Sequence, residues 1–315
     1  MIELDKIYDD IKKLQDNIAS VFIGKDETIQ TTIVAFIAEG HLLLEDVPGV
    51  GKTLLGQALA KSLDASFARV QFTSDLLPSD VVGSDVYLQK TQEFQFVQGP
   101  IFSNVVLADE VNRTPPRTQS AMLEAMSERQ VSVGGQTYPL PRPFFVVATQ
   151  NPIESEGVYP LPESQLDRFL MRISVGYPDR DAELKILDAH GKGSALESLK
   201  PVLTLQDALA LQDAAKNVRL DPDVANYLIA VVDATRQSNE TAVGASPRAT
   251  LALARAVRAR ALAQRRDYVV PDDVKALAAR TLAHRLVPKN YRREESRRAA
   301  ESLVERVLAS VETPR

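Results

Sequence analysis

Apolar residues recur three and four positions apart through the first forty residues: Ile7, Ile11, Leu14 and Ile18, then Ile29, Ile33, Phe36 and Ile37. That spacing predicts two helices, each burying one stripe, with Gly40 as a helix stop. The period then changes. Between residues 41 and 178, short β-rich runs ("HLLLE", "ARVQFT", "VVLADE", "PFFVVATQ", "FLMRISV") alternate with stretches of helical composition. Continuous rather than alternating apolar runs indicate strands buried on both faces, hence a parallel sheet covered by helices. From Asp181 onward strand signals vanish, and segments such as "ATLALARAVRARALAQRR" predict an all-helical region. The shift at "GYPDRDAE" places a domain boundary near Pro178: an α/β core over residues 1–178 and a helical domain over residues 179–315.

Two segments inside the α/β region alternate with period two around a polar turn. "VYLQKTQEFQF" sets Tyr87 against Phe94 and Phe96, and "RQVSVGGQTYPL" turns at Gly134-Gly135, a pair that favours a two-residue hairpin loop.

The stretch "LLLEDVPGVGKTLL" joins the first strand to a helix through residues that suit neither. Glycines let backbone N–H groups turn inward around an anion, and the helix N-terminus adds partial positive charge. Lys52 can reach outer phosphates, and the Thr53 hydroxyl can hold magnesium. Pro48, Gly49, Val50, Gly51, Lys52, Thr53 and Leu54 are therefore the candidate nucleotide-binding loop. The pattern G-x-x-x-x-G-K-[ST] asks for glycine where this chain has Asp46; the alternative is an ordinary strand-to-helix turn with a solvated lysine.

A phosphate loop needs a carboxylate at a neighbouring strand end, and "NVVLADEVNR" supplies Asp109 for a metal and Glu110 as the base that orients water. Two adjacent carboxylates could instead cap a helix. A third strand, "FFVVATQNP", ends in Thr149, Gln150 and Asn151, which places an amide side chain beside the outer phosphate.

Composition narrows the chemistry. The 315 residues include no cysteine and three histidines, which excludes disulfides, thiolate metal sites and imidazole-rich metal chemistry. No apolar run approaches the roughly 20 residues that span a bilayer, and the chain starts without a signal-like segment, so a cytoplasmic protein without membrane insertion is expected. A net charge of −5 gives no broad pull toward nucleic acid.

Taken together, "LLLEDVPGVGKT", "ADEVNR", "ATQNPIESEGVYPLPESQLDRF" and "GASPRA" resemble the MoxR family of AAA+ ATPases, over about Val21 to Leu286. The resemblance implies an αβα P-loop core with inserted β-hairpins and a helical lid, with ATP and Mg²⁺ held between them. It also implies that Gly49, Gly51, Lys52 and Thr53 form Walker A, that Asp109 and Glu110 form Walker B, and that Asn151 is sensor 1. Arg168, in "LDRF", resembles the arginine finger that reaches the ATP of a neighbouring subunit, with Arg113 and Arg172 in reserve; the competing role is an ion pair with Asp167 or Glu163. Arg248, in "SPRA", matches sensor 2: Ser246 can cap a helix that begins at Pro247 and carries Arg248 toward the cleft between domains. Taken alone it is equally a surface arginine.

The family reading implies a homo-oligomer, a hexameric ring, and remodelling or maturation of protein complexes, including metal cofactor insertion, commonly beside a von Willebrand A domain partner. The hairpins would face the ring's pore or a partner, or merely cap the sheet. Arg255 and Arg258 share a side of their helix, but Arg260, Arg265 and Arg266 spread around it, which favours a solvated face with nucleotide contact over a nucleic-acid surface. A magnesium-chelatase-like subunit is the nearest alternative, and a nucleic-acid-remodelling motor another. A transcription activator would carry GAFTGA and a GTPase N-K-x-D; neither motif occurs.

Overall fold

The structure, a computed structural model, describes residues 4–151, 157–190, 195–289 and 293–314. In chain order the elements are α1 (Leu4–Ala19), α2 (Asp26–Ile37), β1 (Leu42–Glu45), α3 (Lys52–Ser62), β2 (Phe67–Gln71), α4 (Pro78–Val82), β3 (Gly83–Leu88), β4 (Glu93–Gln98), β5 (Val105–Asp109), α5 (Pro116–Glu128), β6 (Gln130–Val133), β7 (Gln136–Pro139), β8 (Phe145–Gln150), α6 (Glu163–Leu166) and β9 (Met171–Ile173). Beyond β9 come α7 (Arg180–His190), α8 (Ala195–Ser198), α9 (Leu205–Lys216), α10 (Pro222–Gln237), β10 (Thr241–Val243), α11 (Pro247–Ala263), α12 (Pro271–Leu282), β11 (Val287–Pro288) and α13 (Arg293–Ser310).

Five parallel strands form the central sheet in the order β2-β5-β8-β1-β9. Alternate residues serve opposite faces. Leu42, Leu44, Val105, Leu107, Phe145 and Val147 join the core beneath α3, whereas Leu43, Val106, Ala108, Val146 and Ala148 join the core on the α5 side. Burial on both faces is why these strands read as unbroken apolar runs. Parallel register also aligns the carboxyl ends, so Glu45 pairs with Gln150 and Gln71 with Asp109 along one polar rim.

The stripes of α1 and α2 are buried as expected, with Ile7, Ile11, Leu14 and Ile18 at most 3 % exposed. The helix stop differs in detail. Glu39, not Gly40, takes the left-handed conformation (φ 50), held by Arg129 and Lys216 on its carboxylate. Gly40 is small for another reason: a Cβ there would lie 2.4 Å from Leu170.

Both hairpins form. β3 pairs with β4 with Tyr87 opposite Phe94, and Gly134 and Gly135 (φ 59 and 80) make the turn between β6 and β7, both in the region such a turn requires. Phe96 stacks on Tyr138 at 4.1 Å between ring centres, tying the hairpins together.

The helical region is not free of strands: β10 and β11 form a short antiparallel pair. Three residues and two are too few to leave a β pattern in sequence. Nor does this region have an interior of its own. Its apolar residues, among them Leu211, Val231, Leu253 and Leu277, belong to one continuous cluster with α1, α2 and the α3 face of the sheet.

His41, just before β1, is fully buried and neutral. Its Nε2 donates to the Met126 carbonyl and its Nδ1 accepts from the Val146 N–H, so both nitrogens are committed. Burial pushes its pKa down to about 4, and His284 is driven down for the same reason. A folded-state pKa below the unfolded value means that the unfolded chain binds the proton first, so stability is full above about pH 6.5 and falls as pH drops toward 4. His41 alone should remove about 3 kcal/mol across that window. Denaturant unfolding at pH 7 and pH 5 checks this, with a lower midpoint at pH 5.

Candidate active site

The loop after β1 is built as an anion cradle. Gly49 and Gly51 have φ 87 and 88, which side-chain-bearing residues rarely adopt. A Cβ on Gly51 would in addition meet Phe22 at 3.0 Å, while Gly49 faces open space. α3 begins at Lys52 with no side-chain cap and no acidic residue in its first turn. Its first N–H groups are left for a ligand. Lys52 is 8 % exposed; burial lowers its pKa, and Nζ donates to the Asp46 carbonyl at 2.8 Å.

Asp46, where the nucleotide-loop pattern expects glycine, proves to be an anchor. Its carboxylate accepts from Val47 N (2.9 Å), Ser174 Oγ (2.8 Å) and Gly176 N (2.6 Å), fastening the loop to the end of β9. Burial alone would raise this carboxyl, but those donors outweigh it and hold the pKa low. Asp46→Gly, which would complete the pattern, should therefore cost about 2–3 kcal/mol of stability, measurable by chemical denaturation.

Asp109 and Thr149 project from their strand ends on the α3 side of the sheet. Asp109 accepts from Thr149 Oγ1 at 2.6 Å and from Arg69 Nη2 at 2.7 Å. The Thr149 hydroxyl in turn accepts from the Glu110 N–H at 2.8 Å, which helps fix Glu110 at its unusual φ of 58. The Glu110 carboxylate is held by Gln71 Nε2 (2.7 Å) and Arg113 Nη1 (3.1 Å). Asn151 is buried at the tip of β8, its carbonyl 3.5 Å from Asn112 Nδ2. Residues 152–156 of the long motif lie outside the described residues.

These groups fit a nucleotide triphosphate with a divalent ion. Lys52, the loop amides and the α3 N-terminus could supply positive charge to phosphates, Thr53 and Asp109 could supply oxygen ligands to an ion, and Arg69 already sits against Asp109 as a positive partner. Among the described residues no group of three or more His, Cys, Asp or Glu side chains is placed to hold a metal, and no helix is long and apolar enough to cross a membrane.

The remaining candidates lie elsewhere. Leu170 N donates to the His41 carbonyl, so Arg168 is at the amino end of the β1–β9 pair, whereas the phosphate loop follows the carboxyl end. His41 and Asp46 are five residue steps apart along an extended strand, about 16 Å. Arg168 Nη1 donates to the Leu123 carbonyl (2.8 Å) and to Ser127 Oγ (2.7 Å), not to Asp167 or Glu163. Asp167 is taken by Arg285 at 2.7 Å and lies 3.8 Å from Arg248 Nε. Arg168, Arg248, Arg255, Arg129 and Arg285 line one cavity, with only Glu39 and Asp167 as lining carboxylates.

α11 starts at Pro247 with Ser246 as its cap, and it carries Arg248 to the cavity of Arg168, which is lined by His41 and Met126 of the α/β region and by Ala252, Arg255 and Arg285 of the helical region. Of the reserve fingers, Arg113 holds Glu110, and Arg172 is buried beside Glu45. Sequence reasoning gave no role to Arg69, Gln71 or Thr149. For Thr149 the signal was its place near the polar tip of an otherwise apolar strand.

Comparison with known proteins agrees with this architecture. The family model described as "ATPase family associated with various cellular activities (AAA)" matches residues 41–171, and the AAA lid domain model matches residues 233–307. The chain is 48% identical to YeaC of Bacillus subtilis over 96% of its own length and 94% of that protein. It is 43% identical to Chaperone MoxR1 of Mycobacterium tuberculosis over 93% of this chain and 80% of that one. A crystal structure of a candidate ATPase from Cytophaga hutchinsonii superposes with a TM-score of 0.90 at 37% identity, covering 99% of this chain and 97% of that one. An αβα core carrying a glycine loop, an acidic strand tip and a helical lid, together with relatives of this closeness, makes the chain a member of the MoxR family of AAA+ ATPases.

Proposed function

We propose that the protein hydrolyses ATP with Mg²⁺ at the loop Pro48–Leu54, and that the site is completed by a second copy of the chain. The observation that carries this is the separation of its charged halves. Lys52, Asp109 and Glu110 lie at the carboxyl end of the sheet, and the cavity of Arg168 and Arg248 lies at the other. In a ring, the cavity of one subunit would face the phosphates on the next, so hydrolysis would depend on assembly.

In this reading Thr53 and Asp109 hold Mg²⁺, which when bound neutralises charge on the outer phosphates. Lys52 leaves the Asp46 carbonyl for those phosphates, and Asn151 helps seat the attacking water. The Glu110 carboxylate accepts the water's proton as its oxygen bonds to the terminal phosphorus and the bond to the leaving ADP oxygen breaks. Gln71 and Arg113 now occupy that carboxylate, so Glu110 must be released before it acts.

The wider reading is a cytoplasmic remodeller: a hexameric ring of cores (residues 1–178) and lids (residues 179–315) that spends ATP on maturing protein complexes, metal cofactor insertion included. A von Willebrand A domain protein is its expected partner. The kinship with a protein named a chaperone supports this. The deciding measurement is ATPase rate against protein concentration for wild type and Glu110→Gln. A specific rate that climbs with concentration in wild type, and falls about 10²–10⁴-fold in the variant while ATP binding persists, is expected. A concentration-independent rate would rule out the shared site.

A further inference from the structure

The last residue of β1, immediately before the phosphate loop, is held by the far end of the chain. Glu45 Oε2 accepts from Arg297 Nη1 of α13 at 3.1 Å and lies 3.7 Å from Arg172 Nη1 of β9. Arg297 also donates to Glu301, one turn further along α13, at 3.1 Å.

Arg172 makes this contact consequential. Its side chain is 8 % exposed, and a buried guanidinium requires a carboxylate close by. Glu45 provides one and cannot leave without stranding that charge. The opposite nitrogen, Nη2, has no hydrogen bond and lies 3.9 Å from Glu301 Oε1. Beside it is a cavity of 240 Å³, lined by Arg172, Ser174, Arg280, Arg297 and Glu301, with room for the remaining gap to close. A small shift of α13 toward β9 would give Arg172 its missing partner and redirect its hold on Glu45. Ser174, the residue just past β9, already grips Asp46. The two residues that lead into the loop are thus clamped from β9, and one of them also from α13.

We infer that Arg297 is a positioning residue for nucleotide binding: through Glu45 and Arg172 it couples the seating of α13 to the geometry of the phosphate loop. The inference rests on the reading that this loop binds ATP. Coupling between two sites is reciprocal, so ATP must tighten α13 by the same factor by which seated α13 tightens ATP.

The test uses the full chain in the Glu110→Gln background, where ATP is not consumed. Calorimetry with Mg²⁺ and ATP gives the Kd, and hydrogen exchange follows the α13 amides with and without nucleotide. In the parent, ATP should slow exchange in α13. Arg297→Ala should weaken ATP binding roughly 5- to 10-fold and abolish the slowing in α13. Arg297→Lys, which keeps a cation near Glu45, should recover part of both. If ATP leaves α13 exchange unchanged in the parent, or if Arg297→Ala binds ATP within about twofold of the parent, the coupling is overturned, whatever the variants' stability. Absence of ATP binding in the parent would instead remove the nucleotide reading itself.

Discussion

Lys52→Ala should bring ATP hydrolysis down by about 10²–10³-fold. The lysine is 8 % exposed and its ammonium is already desolvated against the Asp46 carbonyl, so the loop loses a cation whose hydration has largely been stripped in advance. In so sheltered a place a charge acts on phosphate far more strongly than it would in water. The loss should appear in ATP affinity as well as in turnover. Because among the described residues Nζ makes no hydrogen bond other than the one to that carbonyl, unfolding should shift little. Calorimetry and steady-state kinetics on the same preparation check both halves. A variant that binds ATP as tightly as wild type would take the phosphates away from this loop.

Arg168→Ala should have a comparable or larger effect, about 10³-fold or more on turnover, while leaving ATP binding by the isolated subunit intact. Its present contacts are a carbonyl within α5 and a serine hydroxyl, neither of which neutralises its charge. The guanidinium is therefore available to a phosphate at modest cost. The decisive form of the experiment is a mixture: Lys52→Ala supplies a good Arg168 cavity and Arg168→Ala a good loop, so two inactive proteins should regain measurable ATPase when combined. If the mixture stays as inactive as its parts, while wild type shows concentration-dependent turnover, the finger is another residue; Arg255 and Arg248 in the same cavity would be next.

The sheet was legible because each central strand is buried on two sides, which leaves an unbroken apolar run bounded by polar residues. The glycine loop and the Asp109-Glu110 tip were legible because their chemistry is local: adjacent residues, one turn, one strand end. What escaped was long-range. Arg69 meets Asp109 only because β2 pairs with β5, and Arg297 meets Glu45 across some 250 positions of chain, a contact no spacing rule reaches. The Asp46 anchor was hidden for the same reason, its partners lying at the end of β9. For Arg248 the helix start could be read from Ser246 and Pro247, but its meeting with Asp167 depends on how α11 packs against α2 and α9, which no local pattern reveals.

The apolar cluster that runs without a break from the sheet through α2 into the helices beyond β9 sets a mechanical limit. A hinge needs a seam, and a seam here would open a close-packed interior to water at every stroke. Each copy should consequently move largely as one block, apart from small adjustments such as that of α13, and in the ring proposed above the give would lie at the boundaries between neighbouring copies, so that a push begun at one phosphate loop would reach the next copy first.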